Sequence, residues 1–156
     1  MNIQDECLQV LRALHSAGVD YALCGGLAVA VHGCPRFTQD IDLLIQPDDL
    51  EAAKRAVRAV GFCEDSALIR RSDDEVVHRV QKNEGSDFLM LDLFFVTPKY
   101  QDVWEGRIQL DLEGLPIRVV SRQGLITLKR AAGRPGDLND ILNLESDDFP
   151  EDRPAE

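Results

Sequence analysis

The sequence predicts a mixed α/β fold, a mixed sheet with helices packed on it. Three observations support this. The N-terminal part alternates helical and strand patterns, the middle is built of short apolar runs split by turn residues, and the end carries two helical segments. Residues 3–17 place Cys7, Leu8, Leu11 and Leu14 at helical spacing, and Gly18 is a natural stop. Tyr21 to Cys24 is a short apolar run ended by Gly25-Gly26, a strand and a tight turn. Residues 27–33, LAVAVHG, suit a short apolar helix that Cys34-Pro35 breaks. Asp40 to Ile45, DIDLLI, is a strand. Pro47 then opens a helix with Asp48, Asp49 and Glu51 in its first turn, where acids favour the dipole. Its buried stripe is Leu50, Ala53, Val57 and Val60, and Gly61 ends it.

The middle reads as antiparallel. Residues 75–82 and 88–96 flank NEGSD, a hairpin loop. A short helix is expected over 99–106, and strands over 107–112 and 116–121 flank a turn at Glu113-Gly114. Helices over 124–132 and 136–144 follow. Trp104 and the phenylalanines at 88, 94 and 95 are expected in the core.

A length of 156 residues suits one domain with a real core, here 1–145, plus a short tail, 146–156. No apolar run approaches the roughly 18 residues a membrane helix needs. The start, MNIQDECLQV, lacks a basic region followed by an apolar one, so it is not read as a secretory signal. Cys7, Cys24, Cys34 and Cys63 form no CxxC pair and sit in or beside apolar segments. Reduced core thiols in the cytosol are expected. The net charge of −11 is uneven: residues 144–156 hold six acids and one base, or −5, leaving −6 for residues 1–143. Neither part has the basic footprint of a general DNA or RNA binder. The tail, acidic with two prolines, is expected to be disordered.

Three features carry chemistry. In Asp40-Ile41-Asp42 the two carboxylates share one strand face, while Ile41 and Leu43 point to the other. Like charges so close repel unless a cation sits between them. Mg²⁺ takes oxygen ligands of this kind together with substrate phosphates, although an exposed strand end with two solvated acids has the same pattern. Asp92 lies inside FLMLDLFFV, with Met90 and Phe94 on its own face and Leu91 and Leu93 on the other. A buried carboxylate needs a partner: a metal ion, or an arginine such as Arg79 on the neighbouring strand. Gly25-Gly26 lets backbone N–H groups approach an anion at a helix start, or simply makes a turn.

Together these features resemble the DNA polymerase β-type nucleotidyltransferase superfamily: Gly-Gly, 13 residues, an acid pair alternating with apolar residues, then a third Asp in a later apolar strand. CGGLAVAVHGCPRFTQDIDLLI resembles more specifically the bacterial AbiEii abortive-infection toxin group, and LITLKRAAGRPGDLNDILNL is similar to that group's C-terminal helix motif. The resemblance covers about residues 20–45, 88–96 and 124–144. It implies a nucleotidyltransferase-like fold. It implies that Gly25 and Gly26 embrace the triphosphate of an NTP, that Asp40 and Asp42 bind two Mg²⁺ ions, and that Asp92 binds one of them. Two such ions activate an acceptor hydroxyl and stabilise the leaving pyrophosphate. The superfamily often has Ser at the second glycine position; Gly26 leaves backbone contacts there.

Arg36 and Thr38, just before the acid pair, are candidates for the triphosphate, with an acid partner for Arg36 as the equal alternative. Lys129 and Arg134 are candidates to neutralise phosphate, or lie on a solvated helix face. Asp137 and Asp140 either orient those bases or cap the last helix. His32 reads as a helix-end histidine. The expected activity is transfer of a nucleoside monophosphate to a hydroxyl on RNA (tRNA included), a protein or a small molecule. The expected setting is the toxin of a toxin–antitoxin pair, with an antitoxin protein as partner. A drug-modifying enzyme and a non-catalytic nucleotide-binding module are the alternatives.

Overall fold

The computed structural model describes residues 1–34, 36–72 and 74–146. In chain order its helices and strands are α1 (Ile3–Ser16), β1 (Ala22–Cys24), α2 (Gly25–Val31), β2 (Asp40–Ile45), α3 (Leu50–Arg58), β3 (Glu64–Ser72), β4 (Glu75–Glu84), β5 (Asp87–Phe95), α4 (Gln101–Glu105), β6 (Ile108–Leu112), β7 (Leu115–Val119), α5 (Arg122–Ala132) and α6 (Pro135–Leu144). Single 3₁₀ turns at Pro47–Asp49 and Pro98–Tyr100 precede α3 and α4. This is the mixed α/β class expected. The expected tail, apart from Ser146, lies outside the described residues. Among the described residues no helix is long and apolar enough to cross a membrane.

The chain forms two compact units. The first, Met1–Tyr21 with Gln39–Lys99, holds strands in the order β3-β4-β5-β2, with helices α1 and α3. β3/β4 and β4/β5 are antiparallel, and β2 runs parallel to β5. The inward face of β2 and β5 is aliphatic: Ile41, Leu43, Ile45, Leu91 and Leu93 are each 0% exposed. Helix α1 starts where Asn2 caps the amides of Gln4 and Asp5, and it buries Cys7, Leu8, Val10, Leu11 and Leu14. On α3 the buried stripe is Ala53, Ala56 and Val57; Leu50 is half-buried, as is Val60, which lies past the end of the helix.

The second unit, Ala22–Thr38 with the chain from Tyr100 on, has strands in the order β1-β7-β6. β1 is parallel to β7, and β6 pairs antiparallel with β7 across a two-residue turn, Glu113-Gly114. Both turn residues have positive φ, 50° and 83°, as a twisted hairpin needs. Ser121 caps α5 at the amide of Gly124, so this helix begins two residues earlier than its apolar pattern suggests.

Four expectations are corrected. Strand β3 is missing from the sequence reading: it is an edge strand, mostly exposed, and its charged residues interrupt apolar alternation. The hairpin between β4 and β5 is tighter than NEGSD, because Glu84 pairs with Asp87 and only Gly85-Ser86 turn. Phe88 lies near that hairpin and is 56% exposed rather than in the core, and Cys63 is exposed while Cys7, Cys24 and Cys34 are buried.

Leu91→Ala is expected to lower unfolding free energy by about 2–5 kcal/mol, as for a cavity in a packed core. Phe88→Ala is expected to change it by no more than about 0.5 kcal/mol. Urea denaturation of both variants checks the contrast; similar losses would contradict the placement of the core.

Candidate active site

Asp40 and Asp42 both project from β2 on the face opposite Ile41 and Leu43, and both are half-buried. In the parallel ladder Asp42 stands directly beside Asp92 of β5, and Asp40 beside Met90. Ladder partners share a face, and adjacent strands lie about 4.8 Å apart. The structure therefore brings the three acids to one side of two neighbouring strands. Asp92 is 5% exposed, a carboxylate set among the apolar residues 88–95 of β5.

On the far side of Asp92, Arg79 of β4 is its antiparallel ladder partner. The guanidinium donates from Nε to Oδ1 at 2.7 Å and from Nη2 to Oδ2 at 3.0 Å. One row of side chains, Arg79–Asp92–Asp42, thus crosses three strands. Burial raises the pKa of Asp40, the Asp92 charge raises it further, and Arg79 opposes both. Arg79 is held still more firmly in its charged form, chiefly by the Asp92 hydrogen bond and then by the charges of Asp92, Asp40 and Asp42. The arginine partner weighed for Asp92 from sequence is therefore present.

The donor set matches a hard divalent cation: carboxylate oxygens, three of them in neighbouring positions. As placed, no three His, Cys, Asp or Glu side chains among the described residues are gathered to hold a metal ion. Both Asp92 oxygens are turned to Arg79.

The second unit holds the other predicted residues. Gly25 has φ of +66°, a conformation that favours glycine. A Cβ on residue 26 would lie 2.8 Å from Thr38 Oγ1, 3.0 Å from Thr38 Cβ and 3.4 Å from Arg36 Nε. Residue 26 is thus glycine because Thr38 fills the space, and a hydroxyl stands beside the Gly-Gly backbone after all. Nothing in the sequence spacing ties residue 38 to residue 26, so the reading missed this contact.

Arg36 also pairs through Nη1 with Asp140 of α6. Lys129 of α5, buried, reaches Asp140 Oδ2 at 2.8 Å and Asp137 Oδ1 at 3.3 Å. Arg134 Nε lies 2.9 Å from Asp137 Oδ2, and the Arg134 amide donates to the same oxygen at 3.1 Å. Burial alone would raise the Asp137 pKa, but hydrogen bonds from Arg134 and the nearby cations hold it below its usual range. Asp137 and Asp140 therefore do both things expected of them: they hold the bases, and Asp137 caps α6. His32 closes α2, its Nε2 2.9 Å from the carbonyl of Val120.

Gly26→Ala is expected to destabilise the protein by about 1–3 kcal/mol through overpacking against Thr38. Thr38→Ala in the same chain should recover part of that loss, because it removes the nearer of the two contacts. Chemical denaturation of the single and double variants measures it; full additivity would contradict the contact.

The structure resembles several nucleotidyltransferases of low sequence identity, which speaks for the fold. ANT(2'')-Ia, solved with adenylyl-2''-tobramycin, matches with a TM-score of 0.62 and 14% identity, covering 92% of this chain and 88% of its own. The lincosamide antibiotic adenylyltransferase LnuA, solved with lincomycin, matches with a TM-score of 0.60 and 16% identity, covering 91% and 96%. An antigenic nucleotidyltransferase-like protein from Paracoccidioides brasiliensis matches with a TM-score of 0.57 and 20% identity, covering 89% and 74%. No curated protein matches at the sequence level. The family model described as the nucleotidyl transferase AbiEii toxin of type IV toxin–antitoxin systems matches residues 9–129, most of the chain. With its nucleotidyltransferase-like fold and its acids in register on β2 and β5, this chain belongs to the AbiEii nucleotidyltransferase family.

Proposed function

We propose that this protein moves a nucleoside monophosphate from an NTP to a hydroxyl acceptor with Mg²⁺, and that it acts as the toxin of a toxin–antitoxin pair. Residues 1–145 are taken as the nucleotidyltransferase domain. The observation that carries the reading is the register of β2 and β5, which sets Asp42 beside Asp92 and keeps Asp40 on the same face. In this reading Asp40 and Asp42 bind both metal ions and Asp92 binds one. When bound, the ions supply charge neutralisation and activate the acceptor hydroxyl.

The remaining work falls to the chain's own groups. Gly25 and Gly26 expose backbone N–H groups to the triphosphate, with Thr38 Oγ1 and Arg36 beside them. The Arg134 side chain, paired with Asp137 but 67% exposed, is the group offered to a phosphate from α6. Lys129 is buried, so its part is to hold Asp140 and, through it, Arg36. Asp92, next to the attacking hydroxyl in the family's scheme, helps take its proton.

The acceptor is RNA, a protein or a small molecule. Membership of the AbiEii family favours the toxin setting and an antitoxin partner. The likeness to ANT(2'')-Ia and LnuA gives a second reading, modification of an antibiotic hydroxyl. α-³²P-labelled NTPs offered with total RNA, cell extract, or an aminoglycoside and lincosamide panel separate the two by what becomes labelled. No label on any of them would favour a nucleotide-binding module without turnover.

Two outcomes are expected. NTP binding by isothermal titration should appear with Mg²⁺ and vanish in EDTA, because clustered acids repel a triphosphate. Equal binding in EDTA would remove the metal-bridged site. The second outcome concerns Asp40→Asn. The Asp40 pKa is raised in the fold, so its ionised form opposes folding above that pKa and the penalty fades as pH falls. At pH 7 in EDTA the variant should therefore melt at or above the wild-type temperature, with the difference shrinking in acid. It should also lose the stabilisation that Mg²⁺ and NTP give the wild type. A variant that melts lower at pH 7 yet keeps the ligand response would contradict the assignment.

A further inference from the structure

We propose that Arg79 is a built-in counter-ion for the acid cluster, one that a divalent cation must displace from Asp92 in order to bind. The inference rests on the divalent-cation reading of Asp40, Asp42 and Asp92 and adds a residue that controls it. Its basis is geometric. Arg79 is the ladder partner of Asp92, and its fork engages both carboxylate oxygens, at 2.7 and 3.0 Å. Asp92 is in turn the ladder partner of Asp42, with Asp40 two residues away on the same face. One planar cation therefore sits at the end of a row of two anions, with the third, Asp40, on the same face of β2.

An arginine beside a metal ligand can act in two opposite ways. It can orient the carboxylate from behind, leaving the lone pairs toward the metal free; losing such a partner typically weakens metal binding 10–100-fold. Or it can compete for the same anions, and then losing it strengthens binding. The geometry favours competition. The fork takes up both Asp92 oxygens, so a cation that binds Asp92 meets the guanidinium there. The Arg79 charge is felt by Asp40 and Asp42 as well as by Asp92. Its side chain is 25% exposed against 7% for that of Asp92, so the guanidinium has solvent to move into while the carboxylate stays fixed.

Opening the fork breaks two hydrogen bonds and no covalent bond. The guanidinium keeps its proton and moves toward water, and the cation takes its place as the positive charge. The acids are thus never left together without a positive charge. Metal affinity is correspondingly set by competition, and an NTP that brings its own Mg²⁺ would open the fork more readily than free Mg²⁺.

The test uses the full chain, with Mn²⁺ alone as probe, read by electron paramagnetic resonance titration of wild type, Arg79→Gln and Arg79→Lys. Removing one positive charge from the cluster should tighten Mn²⁺ binding by about tenfold in Arg79→Gln. Arg79→Lys keeps the charge without the fork and should fall between. Arg79→Gln should also melt lower than wild type in EDTA and gain more from Mn²⁺. Equal or weaker Mn²⁺ binding by Arg79→Gln, with the wild type binding normally, would overturn the counter-ion role and leave the metal site standing. No Mn²⁺ binding by either protein, even with NTP, would instead defeat the metal reading itself. Should the variants fail to fold, the wild type alone decides. The Arg79 Nε–H resonance, assigned through its own side chain, should be protected in EDTA and move to a solvent-exposed position as Mg²⁺–NTP is added. An Nε–H signal unchanged at saturation would show that the fork never opens.

Discussion

Three carboxylates on one face of two adjacent strands, with a packed aliphatic face behind them, are the constraint on which the first unit depends. Two like charges about 5 Å apart repel by about 3 kcal/mol at an effective dielectric constant near 20. Domain stabilities are only about 5–15 kcal/mol, so a cluster of three such charges is not carried without a counter-charge. The strands cannot slip to relieve it. A one-residue shift of β2 would turn Ile41 and Leu43 outward and bring both acids into the core. The aliphatic face thus fixes the register, the register fixes the acids, and the acids require a cation. In the structure Arg79 provides it, through a fork to the most buried of the three.

The second unit solves a similar problem with the balance reversed. Two buried acids, Asp137 and Asp140, are shared among Lys129, Arg134 and Arg36. Buried Lys129 touches both acids, so removing either would leave its ammonium with half its partners, a costly state in low dielectric. The network ties α5 and α6 together and fixes Arg36, whose Nε lies close to Gly26. The glycine, the threonine that crowds it and the arginine beside it form one local arrangement. A change at residue 26 is therefore felt by the whole group.

How much of this was legible in sequence follows from which signals are local. Strand β2 was read with its observed bounds because acids and aliphatics alternate over Asp40–Leu43 and the apolar run continues to Ile45 before Pro47. Asp92 stood out because a single charge inside an apolar stretch must have a partner, and Arg79 could be named because it lies on the neighbouring strand; the tighter Gly85-Ser86 turn, not the NEGSD loop, sets the register that pairs them. Strand β3 was not legible: on a solvated edge, pairing comes from β4 rather than from its own apolar pattern. Phe88 near a hairpin turn and Cys63 after α3 were misplaced because hydrophobicity alone does not locate a residue relative to a turn. The Thr38–Gly26 contact was invisible for a different reason. It depends on how the chain between α2 and β2 folds back, which no periodicity records. The family resemblance supplied the expected roles of the glycines and acids, and the geometry supplied the reason residue 26 is glycine.

The proposed site gathers Asp40, Asp42 and Asp92 around a divalent cation with bound nucleotide. Anomalous diffraction from crystals grown with Mn²⁺ and a non-hydrolysable NTP analogue addresses it directly. Mn²⁺ peaks are expected within coordinating distance of carboxylate oxygens from all three residues, with the triphosphate completing the shell and Arg79 moved off Asp92. Mn²⁺ peaks at other acids, or nucleotide bound with Asp92 still in its fork to Arg79 and no metal on β2, would contradict it.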